Sequence, residues 1–251
     1  MSPSIKNYFY ENYWKKNSAW SPSAGSITRE EKLIFHKYLK PGSHVLDYGC
    51  GDGYRYGNYI NSLQVSYKGY DISVEAVQAA ASHLDILLFN HDGRTSESDN
   101  SFDAVLCFEV LEHLLDVDLA LSEIVRVLKK GGVLLASVPN SAFITTRLEL
   151  ALLGNFNPGG SPLTARKKPW MDAHIRFFSR CSFRKMIEEH GFDVVEQPAE
   201  PFSLLALPLF YKAKGHVRSL LRSMSIPLAW IGRLMPGLLS PRIFIVARKS
   251  S

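Results

Sequence analysis

The chain has 251 residues, 46% of them hydrophobic and 21% charged, with a formal net charge of +5. This suits one α/β domain with insertions rather than two domains, and the polar, aromatic stretch Met1 to Trp20 lacks the apolar core of a signal peptide. Three widely spaced cysteines (Cys50, Cys107, Cys181) exclude a disulfide framework or zinc pattern and point to a reducing, cytoplasmic setting, while the lack of an 18-residue apolar run excludes an ordinary membrane span.

After a leader with Tyr8, Tyr13, Trp14 and Trp20, residues 28–39 read as a helix, with Thr28 and Glu31 as a capping box and Pro41-Gly42 as its stop. Val45–Asp47 reads as strand 1, and a helix should run from Gly53 to about Ser62. Tyr67–Asp71 is strand 2, Ser73 caps a helix to about Ser82, and Ile86–Asn90 is strand 3. The continuous apolar run Phe102–Phe108 suits a strand buried on both faces. A helix over Asp116–Lys129 should end at Gly131-Gly132, before strand 5 at Val133–Val138. Residues 141–173, with Asn157-Pro158-Gly159-Gly160-Ser161-Pro162, have the length of a lid. Arg180–His190 reads as a helix stopped by Gly191, Phe192–Glu196 as strand 6 and Ile243–Arg248 as the last strand. Strands alternating with helices predict a doubly wound, mostly parallel sheet in a single domain over 1–251, with a lid (141–173) and a basic apolar cap (199–241) inserted.

The most specific signal is Val45-Leu46-Asp47-Tyr48-Gly49-Cys50-Gly51-Asp52-Gly53. An apolar run ends in a carboxylate and then in three alternating glycines, as where a strand enters a loop that backbone must share closely with a ligand. The G-x-G-x-G spacing is one residue short of a dinucleotide fingerprint, and its acids suit an ammonium-bearing ligand better than a diphosphate. The L-D-x-G-C-G-x-G string resembles the first motif of class I S-adenosylmethionine-dependent methyltransferases. That resemblance covers about residues 40–196 and implies a seven-stranded sheet, its last strand antiparallel and inserted beside strand 6. It is specific for cofactor use and generic for substrate.

On this reading the backbone of Gly49, Gly51 and Gly53 approaches the methionine part of S-adenosylmethionine, with Asp47 at the motif's acidic position and Phe108 ending strand 4. Asp71, 20 residues after Gly51, lies where an acid ending strand 2 grips ribose hydroxyls. Asp92 matches the family position that accepts from the adenine amino group, and Ile72 would pack on the adenine face. Taken singly, Asp71 and Asp92 would read as solvated loop acids.

Past strand 4, a helical turn would place Glu109, Glu112 and His113 on one face, and His174 follows at a distance. The E-x-x-E-H plus His arrangement resembles the ubiquinone-pathway O-methyltransferases and the small-RNA terminal 2′-O-methyltransferases. It implies a divalent ion, Mg²⁺ or Mn²⁺, clamping an acceptor hydroxyl. Against this stand two blander readings: Glu112 and His113 shape the cleft floor, and His174 is a lone general base or a structural loop residue. Arg176 is open to an anionic acceptor or a helix-capping salt bridge.

Residues 201–251 hold eight Lys/Arg and no acid, leaving 21 Lys/Arg against 24 Asp/Glu before them, a net −3. Prolines 201, 208, 227 and 236 should cut the apolar, basic segment 199–241 into short helices. Three uses compete: a cap over the acceptor pocket, contact with the inner face of an anionic membrane or a lipid-linked substrate, and nucleic-acid binding. Sparse stacking aromatics and the lack of an RNA-binding motif argue against the last. The expected activity is methyl transfer from S-adenosylmethionine to a hydroxyl of a small or lipid-linked metabolite, with N-methylation open. The rivals are an RNA 2′-O-methyltransferase and a non-catalytic, membrane-associated cofactor-binding scaffold.

Overall fold

The structure, a computed structural model, describes residues 27–90, 93–154, 156, 174–200, 202, 204, 210 and 213–250. The leader aromatics, Asp92 and the lid stretch 157–173 lie outside the described residues. So do Pro201 and Pro208.

Helix α1 spans Arg29–Tyr38 and opens on the expected capping box, with Thr28 Oγ accepting from Glu31 N and Glu31 Oε2 accepting from Thr28 N. Then follow β1 (His44–Tyr48), α2 (Gly57–Asn61), β2 (Ser66–Asp71), α3 (Val74–Ala80), β3 (Ile86–Leu88) and β4 (Phe102–Phe108). A 3₁₀ turn at Leu111–His113 precedes α4 (Val117–Val127), β5 (Leu128–Pro139) and α5 (Ile144–Leu153). The described chain closes with α6 (Arg180–Glu189), β6 (Phe192–Glu196), α7 (Gly215–Leu234), α8 (Pro236–Leu239) and β7 (Arg242–Lys249). Ser73 Oγ accepts from Ala76 N and Asp116 Oδ1 from Leu119 N, so α3 and α4 begin at side-chain caps.

The sheet runs β3-β2-β1-β4-β5-β7-β6. Neighbours from β3 to β5 are parallel, and β7 lies antiparallel between β5 and β6. Alternate residues of β1 and β4 feed two cores. Leu46, Val105 and Cys107 meet Leu121, Ile124, Phe183 and Ile187 on one face. Val45, Leu106 and Phe108 meet Ile34, Phe35 and Ile60 on the other. Each large apolar side chain so buried contributes about 1.5–3 kcal/mol. Strand order reverses between β1 and β4, and their carboxyl ends open the crevice where such sheets place ligands.

Three expectations are corrected. The helix expected through Lys129 ends at Val127, because Leu128 already pairs with Phe102; Gly131, at φ +70°, lies inside the span of β5, where the β4–β5 register shifts. The helix expected directly after Gly53 begins only at Gly57. Pro227 does not cut the basic segment: α7 continues through it for 20 residues, losing one main-chain hydrogen bond at the proline.

Candidate functional site

Gly49, Gly51 and Gly53 adopt φ of +79°, +60° and +66°, a region that costs an ordinary L-residue roughly 1–2 kcal/mol. Space is short as well: a Cβ on Gly49 would stand 2.5 Å from Val110 Cγ2, in the loop after β4. The two loops at the reversal point therefore touch. Gly49 N and Cys50 N both donate to Tyr70 O, which hangs the glycine loop from the end of β2.

Asp71 fastens that junction. Its Oδ2 accepts from Gly51 N at 2.8 Å and its Oδ1 from Ser73 N at 2.9 Å. Burial raises its carboxyl above the ordinary range, and the backbone donors at Ser73 and Gly51 work against that. Each oxygen keeps a second acceptor direction for a ligand hydroxyl. Ile72 and Val74, both half exposed beside it, offer an apolar shelf.

Asp47 lies deeper, with Tyr67 Oη donating to its Oδ2 at 3.0 Å. Burial pushes its carboxyl up to about 7, against the pull of the Tyr67 hydroxyl. The ring of Phe108 sits in the core, 4.7 Å from the Tyr56 ring and 5.3 Å from the Phe244 ring, so only its backbone at the strand end can serve a ligand.

The Glu–His set divides. Glu109 has φ +56°, which turns it away from the helical face expected for it. Its N donates to Ser137 O and its Oε1 accepts from Ser137 Oγ at 2.8 Å. Burial raises its carboxyl, opposed by the positive charge of Arg242. Glu112, almost wholly buried in the 3₁₀ turn, receives no hydrogen bond on either carboxylate oxygen among the described residues. Its Oε1 stands 3.7 Å from His113 Nε2 and 3.8 Å from His174 Nε2. Burial first, and then the charge of Glu109, hold the Glu112 carboxyl well above the usual range.

His174 reaches this place on a strap that local pattern did not reveal. Ile175 N and Arg176 N donate to Glu112 O at 2.9 and 3.1 Å. Arg176 Nε donates to Leu114 O at 2.8 Å, and its guanidinium also reaches Leu115 O. Arg176 is thus a clamp on the turn that carries Glu112, and neither expected role describes it. At Phe178 the strap bridges Asn140, just past β5.

Sequence reasoning also missed an ionic cluster at the same edge. Arg242, opening β7, donates from Nη2 to Glu31 Oε1 at 3.0 Å and from Nε to Glu200 Oε1 at 2.9 Å. Tyr56 Oη donates to Glu31 Oε1 at 2.9 Å. Burial would raise Glu31, but Arg242, the Thr28 backbone and Tyr56 outweigh it and hold the carboxyl low. An open cleft of about 580 Å³ lies outside the strap between Asp116, Asp118, Phe177 and Met186, and its walls include neither the glycine loop nor Glu112.

A methyltransferase-domain family model matches residues 26–197, well over half of the chain. The chain belongs to the methyltransferase-domain family. The glycine loop and Asp71 fit S-adenosylmethionine, the ligand expected from the sequence: left-handed backbone at three glycines and a carboxylate 20 residues on. The methyltransferase is 29% identical over 192 residues to a probable S-adenosylmethionine-dependent methyltransferase of Mycolicibacterium smegmatis, covering 73% of this chain and 61% of that protein. It is 33% identical over 107 residues to a ubiquinone biosynthesis O-methyltransferase of Xanthomonas campestris, covering 40% of this chain and 44% of that one. It thus spans less than two thirds of each. Among solved structures it resembles an S-adenosylmethionine-dependent methyltransferase from Archaeoglobus fulgidus, with TM-score 0.63 and 17% identity over 94% of this chain and 99% of that one. It also resembles a Haemonchus contortus phosphoethanolamine N-methyltransferase in complex with S-adenosylmethionine, with TM-score 0.61 and 15% identity over 100% of this chain and 61% of that one. At such identities these structures speak for the fold alone.

Proposed function

We propose that this methyltransferase moves the methyl group of S-adenosylmethionine to a hydroxyl oxygen of a small or lipid-linked metabolite, and that Glu112, His113 and His174 manage that hydroxyl. The observation that carries the reading is the Glu112 carboxyl: buried, without a hydrogen bond on either oxygen among the described residues, and faced by two imidazoles at 3.7 and 3.8 Å. A buried carboxylate left in that state is costly, and such costs concentrate where a protein has chemistry to do.

The sulfonium brings its own leaving group, so the chain must align the reactants and accept one proton. Asp71 takes the ribose hydroxyls and Ile72 the adenine face, with Asp92 as the candidate for the amino group. The glycine backbone borders the methionine end above Asp47. His174 or His113 receives the acceptor's proton, with Glu112 stabilising the imidazolium that results.

Glu112, His113 and His174 offer ligand atoms within 4.8 Å of one another, and this mixed oxygen and nitrogen set suits a divalent metal ion. Such an ion would supply Lewis acidity that lowers the pKa of an acceptor hydroxyl. Glu109 is not one of the three, its carboxylate being engaged by Ser137. A lipid-linked acceptor would bring the protein to the inner face of a membrane. The deciding experiment is turnover of S-adenosylmethionine with mono- and dihydroxylated aromatic acceptors by the chain and by Glu112→Gln. O-methyl product lost in the variant, with cofactor affinity intact, supports the reading; undiminished product removes it.

A further inference from the structure

Helix α5 is built inside out. Thr145, Thr146 and Glu149 face the protein and are buried, whereas Leu148, Leu150, Leu152 and Leu153 are 48–75% exposed. A soluble surface helix turns its apolar side chains inward and its polar ones outward. Helix α7, about 30 Å long at the usual rise, repeats the anomaly. Among its described side chains, Leu221, Ser225 and Gly232 face the body, and a Cβ on Gly232 would collide with the Phe202 backbone. Val217, Leu220, Met224, Ile231 and Leu234 stay exposed at spacings that form one stripe, and Trp230 is 65% exposed beside it. Arg218, Arg222 and Arg233 are exposed on the same helix, which carries no acid.

The two helices leave the body at one place. Asn140, at the end of β5 just before α5, donates from Nδ2 to Gly237 O and Ser240 O, on and just after α8. The start of α5 and the end of α7 therefore adjoin the carboxyl edge of the sheet, where Glu112 and the glycine loop lie.

We infer that α5 and α7 form a docking rim that seats the catalytic edge on an anionic lipid surface. An apolar stripe with cations and no acid on the remaining faces is the composition of a helix lying in a membrane interface, and the charge complements anionic headgroups. A second copy is the poorer occupant, because an identical helix brings three more arginines and no acid to complement them. No described helix is long and apolar enough to cross a membrane, so the contact is along the surface. The inference deepens the lipid-linked reading without depending on the acceptor, since its readouts need no turnover.

The test uses the full chain and vesicles of phosphatidylcholine with or without phosphatidylglycerol, in about 0.1 M salt. Partitioning should be at least tenfold stronger on the anionic vesicles, and Leu220→Glu with Met224→Glu should lower it at least tenfold while calorimetric binding of S-adenosylmethionine stays unchanged. Trp230 should give a blue-shifted emission on binding that is missing in Trp230→Phe. Should the double glutamate variant misfold, Arg218→Gln with Arg222→Gln replaces it, with loss of the anionic preference expected. Absence of binding to anionic vesicles, or equal partitioning of chain and variants, would overturn the inference. So would a concentration-dependent dimer that the same substitutions abolish without any vesicle binding. Failure of methyl transfer alone would bear on the acceptor reading and leave the vesicle result standing.

Discussion

The imidazoles of His113 and His174 lie face to face, ring centroids 4.6 Å apart and planes 31° from parallel. Both present Nε2 to the same Glu112 oxygen. Two stacked rings resist carrying two positive charges, and a buried carboxylate resists carrying a bare negative one. The three groups converge on one point, with the Glu112 carboxyl held above its usual range by burial.

Loss of His174 should therefore act on rate. Replacing it by alanine is expected to lower kcat by about 10²–10⁴ while the dissociation constant for S-adenosylmethionine changes less than about twofold, since His174 lies outside the cofactor residues. Single-turnover kinetics with calorimetry checks this, and an unchanged kcat would refute a role in proton handling.

Asp71 should act on affinity. It holds Gly51 N and Ser73 N in addition to any ribose hydroxyl. Hydrogen bonds to a charged group are worth about 1.5–3 kcal/mol, so Asp71→Ala should weaken cofactor binding about 10- to 100-fold. An affinity equal to that of the parent would show that the carboxylate serves the loop only.

Asp47 makes stability depend on pH. Its carboxyl stands near 7 in the fold against an ordinary 3.8, so the folded state binds a proton that the unfolded state has released between those values. The contribution is fully present below about pH 4 and is lost as pH rises through about 7, with an upper size of about 4 kcal/mol. Asp47→Asn, which keeps an acceptor for Tyr67, should flatten the denaturation midpoint against pH over that window. Parallel curves for the two proteins would contradict the burial argument.

Metal occupancy should be visible without turnover. Because Glu112 binds its proton more tightly than an ordinary carboxyl, a divalent ion must displace that proton, and affinity for Mn²⁺ should rise with pH. Paramagnetic titration of the chain and of Glu112→Gln tests this. Equal Mn²⁺ binding by both, or full activity after exhaustive chelation, would leave His174 as a base acting alone.

The residues themselves carried the elements that rest on short-range physics. The strands expected at Phe102–Phe108 and Phe192–Glu196 became β4 and β6 with those bounds, and Thr28, Ser73 and Asp116 begin helices because a cap is a contact between near neighbours. The glycine loop was legible because left-handed backbone costs glycine least. Three features belong to the tertiary structure alone. Glu109 turns from Glu112 through a left-handed backbone whose strain the Ser137 pairing helps to offset. The motif resemblance grouped His174 with Glu112, but the strap that carries it there is tied to the 3₁₀ turn by main-chain bonds, which no side-chain pattern encodes. Arg242 meets Glu31 across 211 positions because inserting β7 beside β5 brings the chain's far end to the cofactor edge. Local sequence sets backbone preference and burial period; which distant groups share a crevice is set by strand order.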